Sequence, residues 1–383
     1  MKYKLGEICS FQSGGTPSKT NAAYFSGDIP WITTVALNGQ VIGKQAAVDW
    51  ITKKAIAESA AKIVPARSIM IGTRVGVGKV AINESPMSTS QDIISLVGID
   101  ESLWSKEFLC RFIQAKESYL KSQARGATIK GIKIDVLASL DLPDVSIDSQ
   151  QEIVAVLDKI QNILAARRSQ LSALDDLIKA RFVEMFGDTI LNPFGWEKDL
   201  LGIVCDVRDG THDSPQYHEM GFPLITSKNV TGGKIDLTDC SLISEEDFKK
   251  INERSKVDVG DIIMPMIGTV GKPVIVDIEP DFAIKNVSLI KFRHRTRVLN
   301  KYIRALLQSD YFDDAVLSKV RGGTQKFVSL GDIRNLEILV PPIEKQKQFA
   351  DFVLQIDKSK SVIQKSLDET QRLFDSLMQQ YFG

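Results

Sequence analysis

Two pairs of polar segments contain the side chains of this sequence that are best suited to bind a ligand. One pair is residues 33–39 and 226–232, and the other is residues 125–130 and 321–326. Arg, Lys, Asn and Gln side chains can pair with the edges of nucleic-acid bases, and Ser and Thr hydroxyls can contact phosphates. The candidate contacts are Thr33, Thr34, Asn38, Arg125, Thr128, Lys130, Ser227, Lys228, Asn229, Thr231, Arg321, Thr324, Gln325 and Lys326. Solvated turns without a ligand are the alternative for each segment.

Two glycine-rich segments add further basic side chains. Residues 72–79 (GTRVGVGK) and 268–273 (GTVGKP) look like phosphate-binding loops. Both miss the required spacing of four residues before Gly-Lys and the Ser or Thr that follows it. We predict a turn between strands in each copy, with Arg74, Lys79 and Lys272 able to meet a phosphate. A purely structural turn is the alternative.

Other patterns that could indicate a reaction are incomplete. Asn192-Pro193-Phe194 lacks the second proline of the loop with which amino-methyltransferases hold a base. A metal site is suggested by Asp209, His212, Asp213 and His218. The two histidines lack the spacing of a helical site, however, so a surface loop is favoured. Motifs of metalloproteases and of serine hydrolases are absent from the sequence. We expect no metal site and no catalytic residue in this chain.

An internal repeat organises the elements that carry these segments. Leu5-Gly6-Glu7-Ile8-Cys9 returns as Leu201-Gly202-Ile203-Val204-Cys205, and Arg125-Gly126 returns as Arg321-Gly322, in both cases 196 positions later. Between these segments the distance falls to 193 positions, where Ile29-Pro30 matches Phe222-Pro223. Because repeats in the same order at nearly constant distance rarely arise by chance, we infer a duplicated unit of about half the chain.

Each repeat begins with a part that is rich in predicted strands. Short apolar or β-branched runs are punctuated by Gly, Pro, Asn and Asp, which is typical of strands and turns. Examples are residues 68–71, 80–82, 93–97, 262–264 and 274–276. A helix or two is predicted around residues 103–122 and 299–317. These parts, residues 1–148 and 189–342, are predicted to form two β-rich globular domains.

Each repeat ends with a long predicted helix, residues 149–188 and 343–383. Apolar residues recur there at alternating intervals of three and four, which is the seam of a coiled coil. The seam residues proposed for coiled-coil packing and subunit docking are Leu157, Ile160, Leu164, Leu171, Leu174, Ile178, Val353, Ile356, Ile363, Leu367, Phe374 and Leu377. Arg167 and Arg181 interrupt the first seam, so the helices are an unequal pair. The alternative is that each helix only covers its own sheet.

Together these elements predict an α+β fold with two β-rich domains, two long antiparallel helices in a coiled coil and a pseudo-twofold internal repeat. Each helix would be roughly 55 Å long, with the domains at opposite ends of the helix pair. Two such domains suit a DNA duplex whose half-sites lie about 34 Å or more apart. Since the two copies have diverged, the DNA site is expected to be asymmetric.

Composition sets limits on these expectations. The chain has 383 residues with 48 basic and 48 acidic side chains, so a nucleic-acid partner would require a local basic surface or a basic partner subunit. Cys9, Cys110, Cys205 and Cys240 form no CxxC pair, which argues against a zinc ribbon. Because the sequence shows neither a signal peptide nor a membrane-spanning run, we expect a cytoplasmic protein.

The sequence also resembles a known family, the specificity (S) subunits of type I restriction-modification systems. The resemblance covers nearly the whole chain. It rests on Leu5-Gly6-Glu7-Ile8, Ser13-Gly14-Gly15-Thr16-Pro17 and Gly27-Asp28-Ile29-Pro30-Trp31-Ile32, on Phe186-Gly187-Asp188 and Asn192-Pro193-Phe194-Gly195-Trp196, and on Pro341-Pro342-Ile343-Glu344-Lys345-Gln346. The second copy has Asp209-Gly210-Thr211-His212 where the first has Ser-Gly-Gly-Thr-Pro.

The resemblance implies a DNA-recognition subunit that is not itself an enzyme. Each domain would be a target recognition domain for one half of a bipartite DNA site, and the helices would set the spacing. Two modification subunits, which carry S-adenosylmethionine and methylate adenine, would dock on the helices, and a restriction subunit would complete the complex. No cofactor is expected in this chain.

Two other functions remain open at this stage. A stand-alone duplicated DNA-binding regulator would footprint a site without methyltransferase partners. A scaffold without a nucleic-acid partner would tolerate alanine at Arg125, Lys130, Arg321 and Lys326 with no effect on DNA methylation by the complex.

Overall fold

The computed structural model describes residues 3–126, 130–267, 270–292, 296–316 and 327–383 of the chain. The chain divides into two compact units. The first unit is Met1–Arg168 with Lys365–Gly383, and the second is Ser169–Gln364. Each unit therefore contains one β-rich domain, part of the first long helix and part of the second.

The β-rich domain of the first unit contains two sheets and five α-helices within the described residues. Its strands are β1 Ser10–Ser13, β2 Phe25–Ile32, β3 Val41–Ile42, β4 Asp49–Ile51, β5 Ile63–Val64, β6 Ile69–Gly72, β7 Val80–Asn83, β8 Met87–Thr89 and β9 Ile93–Val97. Its helices are α1 Leu5–Ile8, α2 Lys53–Glu58, α3 Lys106–Ala115, α4 Glu117–Gln123 and α5 Ile134–Ala138. One sheet has the order β1-β9-β6-β7-β3 and the other has β4-β2-β8-β5.

The second unit follows the same plan. Its strands are β10 Glu197–Leu200, β11 Asp206–Asp209, β12 Phe222–Ile225, β13 Val230–Thr231, β14 Lys234–Ile235, β15 Ser241–Ile243, β16 Ile262–Pro265, β17 Val274–Ile275, β18 Ala283–Ile284, β19 Val287–Lys291 and β20 Glu337–Val340. Its helices, apart from the long ones, are α7 Leu201–Val204, α8 Glu245–Ser255, α9 Asn300–Leu307, α10 Asp310–Ala315 and α11 Leu330–Arg334.

The sheet topology confirms the internal repeat. The order β11-β19-β16-β17 matches β1-β9-β6-β7, and β15-β12-β18 matches β4-β2-β8. Even the parallel pairing within the smaller sheet recurs, between β2 and β8 and between β12 and β18. The small two-stranded sheets β10-β20 and β13-β14 belong to the described residues of the second unit.

The two long helices are α6 Ile147–Phe186 and α12 Ile343–Phe382, of 40 residues each. A buried glutamine anchors the start of each helix to its own unit. Gln150 accepts a hydrogen bond from the Ser105 N–H (2.9 Å), and Gln346 accepts one from the Leu299 N–H (2.8 Å). At the other end of α6, Gly187 has a φ of +78°. This left-handed conformation favours glycine and ends the helix.

Within each unit the two long helices run antiparallel and pack on each other. In the first unit, Arg168 donates a hydrogen bond to Gln371 (3.2 Å), and Leu157 shares an apolar core with Phe382. In the second unit, Lys360 pairs with Asp175 (2.6 Å), and the rings of Phe182 and Phe349 are 5.6 Å apart. The predicted α+β fold with long antiparallel helices and an internal repeat is therefore confirmed.

Each unit has its main core between its larger sheet, its helices and the long helices. In the first unit this core includes Leu96, Phe108 and Phe112, and in the second it includes Ile290, Tyr302 and Phe349. All of these side chains expose 1% or less of their surface. Burial of this much apolar surface stabilises the sheets whose strand ends carry the candidate loops.

Candidate nucleic-acid interface

Several polar loops of the first unit meet at one edge of its sheets. The end of β1, the end of β6 and the start of β9 lie side by side, because β9 pairs antiparallel with both of the other strands. Backbone hydrogen bonds join the residues that follow β1 and β6 to the start of β9. The Gly14 N–H donates to Ile93 O (3.0 Å), and the Thr73 N–H donates to Asp92 O (2.8 Å). The Ser90 N–H donates to Ile32 O (2.9 Å), which brings in the loop after β2. We call residues 13–17, 33–38, 73–79, 90–92, 125–126 and 130–132 the first loop edge.

The turn between β6 and β7 presents two predicted basic residues on this edge. The Gly78 N–H donates to Gly72 O (3.0 Å), and the Lys79 N–H donates to Gly76 O (3.0 Å). Gly78 has a φ of +83°, and a Cβ there would lie 2.8 Å from Glu117 Cγ. Glycine is therefore required for this tight turn. The side chains of Arg74 and Lys79 are exposed at its surface.

A second loop places more basic side chains beside the first. The backbones of Arg125 and Gly131 exchange two hydrogen bonds of 3.0 Å each, and the Ile132 N–H donates to Thr73 O (2.8 Å). A Cβ on Gly131 would lie only 3.0 Å from Arg74 Cγ. The structure therefore brings the two predicted segments together, with Arg125 and Lys130 both exposed.

These basic side chains are available to an external anion. Among the residues that the structure describes, Arg74, Lys79, Arg125 and Lys130 have no ion-pair partner. The net charge of the whole chain is zero and does not attract phosphates, but these unpaired basic side chains form a locally positive surface that can.

The loop after β2 contains both exposed and buried candidates. Thr33 is half-buried and Thr34 exposes only 4% of its surface, so Thr34 mainly supports the loop. Asn38 is exposed, and its Oδ1 accepts a hydrogen bond from the Gln40 N–H (3.0 Å). The Gly39 N–H donates to Val80 O (2.7 Å), so Asn38 lies close to the end of the turn that holds Lys79.

The second unit has a matching edge. The Gly210 N–H donates to Val287 O (3.0 Å), in the position of the bond from Gly14 to Ile93. The Thr211 N–H donates to Ile284 O (3.0 Å), and the Lys285 N–H donates to Ile225 O (2.8 Å). The loops after β11 and β12 and the turn before β19 therefore converge. We call residues 209–214, 226–229 and 285–287 the second loop edge.

Candidate residues of the second unit differ in exposure. Lys228 and Lys272 are exposed and Ser227 is half-buried. Asn229 exposes only 6% of its surface. Its Oδ1 accepts from Thr226, and its Nδ2 donates to the carbonyls of Asp236 and Asp239. The amide of Asn229 thus holds its own loop together and has no obvious capacity left for a base.

Some predicted contacts lie outside the described residues. They are Thr128 in the first unit and Arg321, Thr324, Gln325 and Lys326 in the second, together with the side chain of Thr231. The predictions for these residues stay predictions. Phe327, which follows them, pairs with Ile267 at the end of β16.

The residues considered for a metal site do not come together as a set of ligands. The structure instead joins His212 to Asp209 and to Asn286. His212 Nε2 is 2.8 Å from Asp209 Oδ2, and its Nδ1 is 2.9 Å from Asn286 Oδ1. His218 pairs through its backbone with Leu242. Among the described residues, no group of three or more His, Cys, Asp or Glu side chains is arranged to hold a metal ion.

Sequence reasoning missed Asn286, Lys285 and Arg254, which surround this histidine. Arg254 pairs with Asp209, and Lys285 donates to Ser214 (2.8 Å). Asn286 has a φ of +55°, at the turn between β18 and β19. The repeat could have revealed it, since the matching bonds to Ile93 and Val287 place Asp92 and Asn286 at equivalent positions.

The predicted seam residues of the long helices face the interior of their units. Leu157, Ile160, Leu164 and Val353 are buried, and the other eight are half-buried. Outside the seam, the helices expose apolar residues that no sequence prediction singled out. These are Val156, Ile163, Leu177, Val183, Leu354, Val362 and Leu373. These side chains are exposed to solvent, whereas the seam side chains are buried or half-buried.

The four cysteines are free thiols, and burial raises the pKa of Cys9, Cys110 and Cys205 to about 12. These three are therefore protonated at neutral pH and poor nucleophiles. No helix within the described residues is long and apolar enough to cross a membrane.

Comparison with known protein families shows that one family model matches the chain twice and covers most of it. The model of the type I restriction modification DNA specificity domain matches residues 1–173 and again residues 193–371. The two matches fall on the two copies of the internal repeat.

Individual relatives match either nearly the whole chain or one part of it. The specificity subunit of the type I restriction enzyme MjaIX from Methanocaldococcus jannaschii is 25% identical over 408 residues, which cover 98% of this chain and 90% of the relative. The EcoR124I/EcoR124II specificity subunit from Escherichia coli is 30% identical over 166 residues, 42% of this chain and 40% of the relative.

Solved structures share the fold. The S subunit of a type I restriction-modification system from M. genitalium has a TM-score of 0.56 at 15% identity, covering 100% of this chain and 96% of that one. A chain from a study of complex assembly and conformational transition of the type I R-M system has a TM-score of 0.60 at 18% identity, with 100% and 97% covered.

Proposed function

The chain belongs to the family of type I restriction-modification DNA specificity domains, and we propose that it reads an asymmetric, two-part DNA sequence for modification subunits that dock on its helices. Each unit would read one half-site through its loop edge. The long helices would set the number of base pairs between the half-sites. We propose further that the chain contains no catalytic centre of its own.

The observation that carries this proposal is the pair of loop edges with equal architecture and unequal side chains. The same backbone hydrogen bonds, Gly14 to Ile93 and Gly210 to Val287, build both edges. The first edge offers Arg74, Arg125 and Lys130, whereas the second offers His212 and Lys228. Two loop edges with the same backbone structure and different side chains are suited to two different half-sites on one duplex.

The charge of the chain supports a complex in which partner subunits supply much of the affinity for DNA. Sequence-independent affinity for DNA comes mainly from phosphate contacts made by Lys and Arg. A neutral chain with only local basic surfaces would therefore bind DNA weakly alone and tightly once partners add positive charge. The proposed partners are two modification subunits, with S-adenosylmethionine bound in them, and a restriction subunit.

The exposed apolar faces of the long helices are the proposed docking surfaces. Val156 and Ile163 on α6 and Leu354 and Val362 on α12 are between 39% and 71% exposed. Apolar residues that recur at intervals of seven or eight on an exposed helix face are typical of a protein interface. The seam residues support docking indirectly, because they hold the two helices together.

The proposal can be tested with the full chain and the modification subunits of its own system. We expect methylation of adenine only when both are present, and a lower methylation rate for the double variant Arg74→Ala, Lys79→Ala. The matched control is Lys53→Ala with Lys54→Ala, because both lysines are exposed on α2 beside the opposite end of β2.

Two outcomes would count against the proposal. A tight footprint by the isolated chain at one defined site, with no effect of the modification subunits, would indicate a stand-alone regulator. Equal methylation by the variant and the control would indicate a scaffold whose first loop edge does not touch DNA.

A further inference from the structure

On the basis of the proposed function, we infer that Asn286 is a base-reading residue of the second unit, and that His212 and Asp209 are positioning residues that decide which amide atom of Asn286 faces the DNA. None of the three was among the predicted DNA contacts. The inference rests on a chain of hydrogen bonds at the second loop edge.

The chain of hydrogen bonds begins at a buried carboxylate. The Asp209 side chain is only 9% exposed and pairs with Arg254 through Oδ1 and with His212 through Oδ2. Its orientation is therefore fixed from two sides. The His212 ring, by contrast, is 60% exposed and stands at the surface between Asp209 and Asn286.

The hydrogen-bond partners define the protonation state of the ring. A carboxylate oxygen and an amide oxygen only accept hydrogen bonds, so the arrangement in which Asp209 Oδ2 and Asn286 Oδ1 both face the ring is that of an imidazolium with a proton on each ring nitrogen. The same two hydrogen bonds, to Asn286 and to Asp209, raise the pKa of His212.

Loss of one proton favours the reversed amide of Asn286. Asp209 keeps the proton on Nε2 because its carboxylate cannot donate. Nδ1 then becomes an acceptor and needs the Nδ2 group of Asn286 opposite it. The amide therefore turns, so that Asn286 presents a hydrogen-bond donor outward at low pH and an acceptor outward at high pH.

Four other charged groups also face His212. The groups that face it are Asp209 at the end of β11, Arg254 on α8, and Asp213 and Lys285 on the adjoining loops. The positive charge of Arg254 acts against the protonation of His212. Lys285 is directed to Ser214 (2.8 Å).

The position of Asn286 fits a role in base recognition. It is half-exposed at the tip of the turn between β18 and β19, beside Lys285 and close to the loop that carries Lys228. Its equivalent in the first unit is Asp92, which can only accept. An outward amide donor selects an acceptor such as guanine O6 or N7 in the major groove, and an outward acceptor selects the amino group of adenine or cytosine.

The test uses the complete chain assembled with its modification subunits. Methylation rates are measured on duplexes that carry each possible base pair, one position at a time, in both half-sites, at pH 6 and pH 8.5. Ratios between duplexes at the same pH cancel any general effect of pH on the methyltransferase. The variants are Asn286→Asp and His212→Ala, and the control is His218→Ala, an exposed histidine of the same unit.

We expect the wild-type complex to change its preference at one base pair of one half-site by about tenfold between the two pH values. His212→Ala should abolish this pH dependence, Asn286→Asp should alter the preference at the same base pair by about tenfold, and His218→Ala should behave as wild type. Preferences in the other half-site should not change in any variant.

The inference is overturned if His212→Ala keeps the wild-type pH dependence, or if Asn286→Asp leaves every preference of the second half-site unchanged. Aspartate tolerates a positive φ, but if Asn286→Asp lowers the midpoint of thermal unfolding, His212→Ala decides the question, because its side chain is exposed. Failure of the proposed function looks different: the wild-type complex would then show no two-part DNA preference at all.

Discussion

The last aromatic residue of the chain is predicted to be essential for the stability of the first unit. Phe382 on α12 exposes 2% of its surface, and its ring lies 5.1 Å from that of Phe108 and 6.3 Å from that of Phe112 on α3. Replacement of a buried Phe by Ala costs about 3–5 kcal/mol. We therefore expect Phe382→Ala to reduce the free energy of unfolding of the first unit by about 4 kcal/mol.

Urea unfolding followed by tryptophan fluorescence can measure this reduction. Trp31, Trp50 and Trp104 all lie in the first unit, and Trp104 belongs to the same core as Phe382. At a typical slope of about 2–3 kcal/mol per molar, the urea midpoint of the first unit should fall by roughly 1.5 M.

The matched control is Leu373→Ala, on the exposed face of the same helix segment. Its side chain is 51% exposed, so the change should stay within about 0.5 kcal/mol. A decrease below about 1 kcal/mol for Phe382→Ala would refute the reasoning, because it would mean that the end of α12 does not complete the core of the first unit.

Three further predictions follow from the same structure. Gln346→Leu leaves the Leu299 N–H and the carbonyls of Arg297 and Pro341 without their partner, and should cost about 3 kcal/mol in urea unfolding; the exposed neighbour change Gln348→Leu should cost little. Lys291→Met removes the partner of buried Asp261 (2.6 Å). Burial already raises the pKa of Asp261, and the variant should raise it further. A carboxyl whose pKa is raised on folding makes the protein less stable as pH rises through that pKa. The variant should therefore lose more unfolding free energy, relative to wild type, at pH 8 (about 3 kcal/mol) than at pH 5. An equal loss at both pH values would contradict this. Arg125→Ala with Lys130→Ala should reduce the slope of log affinity against log salt by about 0.9 for each phosphate that these side chains neutralise in the assembled complex; an unchanged slope would show that they do not face phosphates.

The large-scale architecture was predictable because it depends on periodic patterns. Alternating steps of three and four residues predicted the helices α6 and α12, and both are 40 residues long in the structure. The strand runs at residues 69–72, 80–83 and 262–265 were likewise visible as short β-branched segments. A repeat strengthens such predictions, because each copy supports the other.

The loop edges were predictable only in part, since they depend on interactions between residues far apart in sequence. Nothing in the spacing of Arg74 and Arg125 indicates that Gly131 lies against Arg74. Asn229 has a side-chain amide that could read a base, yet this amide makes hydrogen bonds within its own loop. His212 was correctly placed in a loop, but its partner Asn286 lies 74 positions away along the chain.

The most direct test of the central claim is a map of methylated adenines in the genome of the host, with this chain present and with its gene deleted. We expect deletion to abolish methylation at one asymmetric motif made of two different half-sites separated by a fixed number of unspecified base pairs. Substitutions on the first loop edge, such as Arg74→Ala, should then weaken recognition of one half-site only. Methylation that is unchanged by the deletion, or that disappears from a continuous or palindromic motif, would contradict the proposed function.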